Sequence, residues 1–347
     1  MAFDYLHMPF GDKGLRLVRY NVRMQYELRT LTRRRLLQSA VALGAALIAP
    51  VRADDRHTLR VGYQKGGGLL SLLKAQATLE KRLLPHGWEV TWSEFPAGPQ
   101  LLEAMNAGSL DFGYTGAPPP IFSQAAAAGN DLVYVGAEPI GHSTEAIVAK
   151  RTSPVSGVLD LKGKSVAVQK GSSAHYLLLS ALDAAGLAFT DIQPVYLAPA
   201  YAHAAFESDR VDAWSIWDPY LASEQASSDL RVIADYGNLP ETFSFYLASR
   251  AFASGSPTEL LLLLEELATV GAWVAANPHA AAEILAPQLG LPLTVVDVWQ
   301  RRTRYGVKPL DATVIAGQQR IADTFFQHHL IPKKIDIASA VWRKRSP

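Results

Sequence analysis

Two stretches of the 347-residue chain place small, donor-rich residues where a helix pattern begins: Gly66-Gly67-Gly68 and Gly171-Ser172-Ser173. A helix N-terminus presents unpaired N–H groups and about half a positive charge, and glycine lets an anion approach the backbone. Ser172 and Ser173 add hydroxyl donors, although a serine at this position also serves as a helix cap. Thr115 and the Gly116 N–H are further donors at the end of a strand pattern. The Pro118-Pro119-Pro120 run that follows cannot continue a strand and reads as a rigid loop. Trp217 ends a matching strand pattern and offers an aromatic wall for an apolar ligand tail, whereas Trp214 reads as core. His175 either faces the ligand or serves the cap of its helix. Glu145 either meets a cationic ligand group or is a surface carboxylate. The shared chemistry is capture of a compact oxyanion by neutral donors.

Bond-breaking machinery is not legible. The sequence holds no G-x-S-x-G, no H-E-x-x-H, no full P-loop and no S-x-x-K with its partner motifs. It has no cysteine, which removes disulfides, thiolate-bound zinc, iron–sulfur clusters, a thiol nucleophile and a lipidated N-terminal Cys. The nine histidines do not cluster at metal spacing. His328 and His329 are adjacent, point apart on a helix and read as its solvated end. No catalytic group, metal or cofactor is expected.

The elements that must position the donor-rich turns recur along the chain. Arg60–Gly68 is echoed by Ser165–Ser173 at an offset of 105 residues. Each is a short apolar strand, then Gln-Lys-Gly, then a small-residue turn into a helix pattern, Leu69–Leu83 or Ala174–Ala185. Ala104–Tyr114 is echoed by Ala205–Ser215 at an offset of 101, where a helix ends, an apolar residue and Asp follow, and a strand continues. Strands alternating with helices mean βαβ units and parallel sheets, so the repeat predicts two α/β lobes. Ligands of open α/β sheets bind beyond the carboxyl ends of the strands, where the repeated turns lie. Glu145–Lys150 reads as the strand leaving the first lobe and Ser244–Ser249 as the strand returning. The lobes are then 54–147 with 247–347, and 148–246. From Ser256 the pattern predicts helices over Glu259–Ala276, Pro278–Leu289, Leu293–Tyr305 and Asp311–Gln327, broken at Asn277-Pro278, Gly290-Leu291-Pro292 and Lys308-Pro309.

The charge balance hides an asymmetry. Overall, 33 Lys and Arg face 32 Asp and Glu. Nine of the basic and three of the acidic residues fall in positions 1–53, leaving 24 against 29 beyond Ala53. Thr32–Gln38 contains Arg33-Arg34-Arg35 before two leucines, Val41–Ala49 is apolar, and Val51-Arg52-Ala53 is a small-x-small cleavage signal. This order predicts an N-terminal export signal cut after Ala53, with a twin-arginine route. The start is either Met1 or Met24. The mildly acidic remainder argues against nucleic acid as a partner. No later apolar run reaches the ~20 residues that a membrane span needs.

The sequence resembles the periplasmic aliphatic sulfonate-binding proteins of ABC importers over nearly all of the chain beyond Ala53. The resemblance is carried by Val61–Gly66, Glu94–Gln100, Asp131–Gly136, Gln169–Ser173, Phe189–Pro194, Ile216–Tyr220 and Ile331–Ile337. It implies a type II periplasmic binding fold, with two lobes of mixed, mostly parallel sheet flanked by helices and a ligand cleft between them. It also implies a monomer that captures alkanesulfonates in the periplasm and delivers them to a membrane permease with a cytoplasmic ATPase. By position, Gln64, Thr115, Gly116, Gly171, Ser172, Ser173 and Trp217 would line the site, with His175 and Glu145 as further candidates. Related sequences often carry Asp where Ala117 stands, a departure that bears on pocket width and on amine-bearing ligands. Alternatives are a receptor for another small oxyanion (taurine or nitrate) or for a thiamine-precursor pyrimidine. A pyrimidine-synthesising enzyme on the same fold would need the reactive cysteine that the chain lacks.

Overall fold

The alternating patterns resolve into two five-stranded sheets in the computed structural model, which describes residues 57–66, 68–126 and 131–343. The expected export signal, its cleavage point and Gly67 lie outside the described residues. Strands β1 (His57–Gln64), β2 (Trp88–Phe95), β3 (Phe112–Thr115) and β4 (Leu132–Pro139) carry the chain through the first lobe. Strands β5 (Glu145–Lys150), β6 (Ser165–Val168), β7 (Gln193–Tyr196), β8 (Ala213–Trp217) and β9 (Leu230–Asp235) build the second, and β10 (Phe243–Ser249) returns to the first. The sheet orders are β2-β1-β3-β10-β4 and β7-β6-β8-β5-β9. In each sheet the crossing strand, β10 or β5, pairs antiparallel with both neighbours, and the remaining strands run one way.

The sequence repeat extends to the pairing register. Val61 faces Phe112 and Gly62 faces Gly113 between β1 and β3; Val166 faces Ala213 and Ala167 faces Trp214 between β6 and β8. The repeated Asp does the same work in both lobes. Asp111 accepts the Arg60 N–H at 2.9 Å and returns its own N–H to the Arg60 carbonyl at 2.8 Å. Asp212 accepts the Ser165 N–H at 2.8 Å and returns its N–H to the Ser165 carbonyl at 2.9 Å. Asp111 thereby pins the middle of β1, and Asp212 the start of β6, to the loop that opens the next strand. The turns after β1 and β6 are also equivalent: Gly66 and Gly171 adopt φ of 77° and 73°, a region that side chains with a Cβ rarely enter.

The predicted first helix is two. α1 (Gly68–Gln76) and α2 (Thr78–Leu83) meet at Ala77, whose φ of 51° breaks the ladder. After α3 (Gly98–Asn106), the three prolines form no loop; they are the first turn of α4 (Pro118–Ala125). The first helical N–H groups have no intrahelical acceptor, so a missing donor there costs little. The second lobe carries α5 (Ser173–Ala184), α6 (Pro199–Glu207) and α7 (Tyr220–Ser227). The tail follows the predicted pattern closely: α8 (Arg250–Gly255), α9 (Pro257–Ala276), α10 (Pro278–Leu289), α11 (Leu293–Arg302) and α12 (Ala312–Gln327). On α9, Leu260, Leu263, Leu267, Val270 and Val274 form one buried stripe at helical spacing, packed with α1, α10 and α11 on the first sheet.

α11 ends at Arg302, earlier than the pattern suggested. Beyond it the chain is extended, because Lys308 bridges to Ala137 of β4 through backbone hydrogen bonds of 2.7 and 3.1 Å. β5 hydrogen-bonds within the second sheet and β10 within the first, so the crossings fall in 140–144 and 236–242. No described helix is long and apolar enough to cross a membrane.

Candidate functional site

The carboxyl ends of both sheets open into one cleft, the place where ligands of open α/β sheets bind. Four helix starts reach its wall: Gly66 and Gly68 before and at α1, Gly98 of α3, Gly116 and Pro119 around α4, and Ser172 and Ser173 at α5. Their positive ends converge on the same space. At α5 the N–H groups of Ser173 and Ala174 make no hydrogen bond among the described residues. Trp217, Trp299 and Tyr305 add aromatic residues to the lining. Lys65 and the exposed Arg304 add positive charge.

The structure brings together six of the nine residues singled out from sequence: Gln64, Gly116, Glu145, Ser172, Ser173 and Trp217. Their local bonds differ from the expectation of free side-chain donors. Gln64 Nε2 donates to the Tyr114 carbonyl at 3.0 Å. Ser172 caps α5: its hydroxyl accepts the His175 N–H at 3.2 Å and donates to the Gln169 carbonyl at 2.7 Å. The Ser173 hydroxyl hydrogen-bonds the Glu145 carboxyl. Backbone N–H groups are therefore the open donors at this helix.

Three predicted residues lie elsewhere. Thr115 is fully buried, and its hydroxyl donates to the Gly116 carbonyl at 2.9 Å, because β3 turns this side chain toward α3. The Gly171 N–H donates to His175 Nδ1 at 3.1 Å. His175 is a core residue against Phe189, Tyr196 and Phe325. Burial, helped by the Lys170 and His328 charges, lowers it to about 3, so it is neutral. Ala117 also packs in the core, its carbonyl accepting Gln318 Nε2 at 2.7 Å.

Two buried acids line the cleft. Glu145, read from sequence as a cation contact or surface group, is 6% exposed. Burial pushes it up to about 8; the Ser173 hydroxyl pulls it down and the Asp218 charge pushes it further up. At neutral pH it is mainly uncharged, which does not suit it to bind a cation. Glu138 of β4 was not anticipated. Burial pushes it up to about 7 against hydrogen bonds from the Gly306 N–H and the Tyr114 and Tyr246 hydroxyls. An acid inside the apolar run Leu132–Pro139 was the available signal.

The lobes touch at both sides of the cleft. The Arg302 guanidinium grips Asp218 with both Nε, at 2.7 Å from Oδ2, and Nη2 on Oδ1. Burial pushes Asp218 up to about 6 even so. A Cβ on Gly66 would lie 2.3 Å from Pro219 Cδ, and one on Gly116 would lie 3.0 Å from the Ser173 side chain. His328 is not a free helix end: its Nε2 hydrogen-bonds Asp183 Oδ2 of α5 at 2.9 Å.

Comparison with known proteins adds an independent line. The family described as NMT1/THI5 like matches residues 86–281. An Escherichia coli (strain K12) protein named for aliphatic sulfonate binding is 44% identical over 313 residues, 89% of this chain and 97% of its own. The alkanesulfonate-binding protein from Xanthomonas axonopodis pv. citri, solved bound to MOPS, is 43% identical. It superposes with a TM-score of 0.79 over 82% of this chain and 98% of its own. The periplasmic aliphatic sulphonate binding protein from Escherichia coli is 46% identical, with a TM-score of 0.75 over 82% of this chain and 92% of its own.

Proposed function

The chain belongs to the NMT1/THI5-like family and groups with its aliphatic sulfonate-binding proteins, and from that premise we propose that it is the solute-binding subunit of an ABC importer for aliphatic sulfonates. The observation that carries this reading is the convergence of helix N-termini on a cleft with an aromatic wall. A sulfonate is a permanent monoanion with three acceptor oxygens, and backbone N–H groups satisfy it without any metal or catalytic base. The alkyl part lies along Trp217 and Tyr305. Closing the lobes excludes water and strengthens each hydrogen bond.

The protein acts in the periplasm as a monomer, exported by the twin-arginine signal and cut after Ala53, and hands its ligand to a membrane permease driven by a cytoplasmic ATPase. The strand pairing supports dividing the lobes at 140–144 and 236–242. Calorimetric titration with alkanesulfonates of increasing length, taurine, sulfate and nitrate tests the function. Saturable binding of alkanesulfonates with weaker sulfate and nitrate is expected. Binding of nitrate or a pyrimidine alone would sink the assignment.

A further inference from the structure

Glu145 Oε2 is sealed from solvent and has no hydrogen-bond partner among the described residues, although the residue lines the cleft. Its other side-chain contact is the Ser173 hydroxyl at the start of α5, the helix whose first residue, with its open N–H, lines the same cleft. An anion on that N–H is therefore a near neighbour of a carboxyl oxygen that lacks a partner. A buried polar atom without a partner costs free energy, and a ligand that pairs it recovers that cost.

The charges around Glu145 decide which partner fits. From the second lobe it is faced by Asp218 after β8 and the Tyr236 hydroxyl, whereas Asp235 on the adjoining strand pairs with Ala146 and so lies on the other face of the sheet. Arg302 pairs with Asp218, and Asp235 accepts the Gly237 N–H. From the first lobe, Glu138, Lys65 and Arg304 line the same cleft. A cationic ligand group at Glu145 would share the cleft with Lys65, Arg304 and four helix N-termini. An ionised Glu145 would repel the anion that those same features attract. A neutral Glu145 removes the conflict and adds an O–H donor where Ser173 has turned its hydroxyl away.

We propose that Glu145 is a specificity-determining ligand contact that binds as a neutral carboxylic acid, donating its proton through Oε2 to an oxygen of the oxyanion held at the N-terminus of α5. This rests on the sulfonate reading and sharpens it: the site takes an anion together with a proton.

Ethanesulfonate keeps one charge from pH 6 to 9, so any pH dependence of its binding belongs to the protein. Titration calorimetry of the full-length mature protein in buffers of different ionisation enthalpy reads the protons taken up. Below pH 7 uptake is small. Above the Glu145 value of about 8, uptake approaches one proton per ligand and affinity falls about tenfold per pH unit. In Glu145→Gln the amide cannot titrate, and the proton uptake and loss of affinity centred near pH 8 disappear, leaving only the smaller change that Glu138 makes near pH 7. Glu145→Ala, which offers no donor, binds at least tenfold more weakly at pH 7. Flat wild-type affinity to pH 9 without proton uptake overturns the proposal, as does a dependence between pH 8 and 9 that is as steep in Glu145→Gln as in the wild type. Tighter binding at high pH overturns it too. Absence of ethanesulfonate binding at every pH overturns the sulfonate reading itself, and this proposal with it.

Discussion

Ser172 looks like a ligand donor and behaves as a cap. Its hydroxyl bridges the His175 N–H and the Gln169 carbonyl, which holds α5 in place with its open N–H groups toward the cleft. Ser172→Ala is expected to lower unfolding stability by about 1 kcal/mol in urea titration, the usual loss for an N-cap. The two buried acids make stability depend on pH with a definite sign. An unfolded Glu titrates near 4.5, whereas Glu138 and Glu145 titrate near 7 and 8 in the fold. Between those values the native chain holds protons that the unfolded chain has released. Their contribution is fully present below pH 4.5 and is lost as pH rises through 7 to 8. Glu138→Gln should therefore be more stable relative to wild type at pH 8 than at pH 5, measured by chemical denaturation at both. A constant difference would show that Glu138 is ionised throughout.

The equivalent strands β1 and β6 are held by carboxylates in the loops that follow α3 and α6. Asp212 satisfies the Ser165 N–H and hydroxyl, and Asp111 adds the Arg60 guanidinium to the same backbone contact. Asp212→Ala leaves a half-buried N–H unpaired and should cost about 1–2 kcal/mol in denaturant unfolding, with Asn costing less because one acceptor remains. These clamps were visible in the sequence only as a repeated apolar-Asp pair. Helix positions in the tail were legible because Pro and Gly mark their ends and the leucines of α9 recur at helical spacing. The early end of α11 was not legible. It depends on the bridge from Lys308 to Ala137, a contact between residues far apart in the chain.

Closure joins elements that no local pattern connects. Arg302 belongs to a helix packed on the first lobe, and Asp218 to the turn after the last parallel strand of the second. Their side chains are 15% and 2% exposed, so removing one partner leaves the other charge with little solvent. Arg302→Met should weaken alkanesulfonate binding ~10–100-fold, about 1.4–2.7 kcal/mol, mainly through faster ligand release in stopped-flow tryptophan fluorescence. An unchanged release rate would mean that the pair does not hold the closed form.

The sequence by itself determined the repeat, and through it the two sheets and the glycine turns at their carboxyl ends. Those features follow from local periodicity and from a backbone conformation that only glycine enters easily. It also named six residues of the cleft wall, since the helix N-termini follow directly from the turns. What only the tertiary structure decided was the work of each side chain there. Thr115 and His175 turned into the core, both serine hydroxyls found local partners, and Glu138, Arg304 and Tyr305 arrived at the cleft from distant segments. The protonation of Glu145 belongs to this second class as well. A carboxyl becomes neutral because of what surrounds it, and its surroundings are assembled from both lobes.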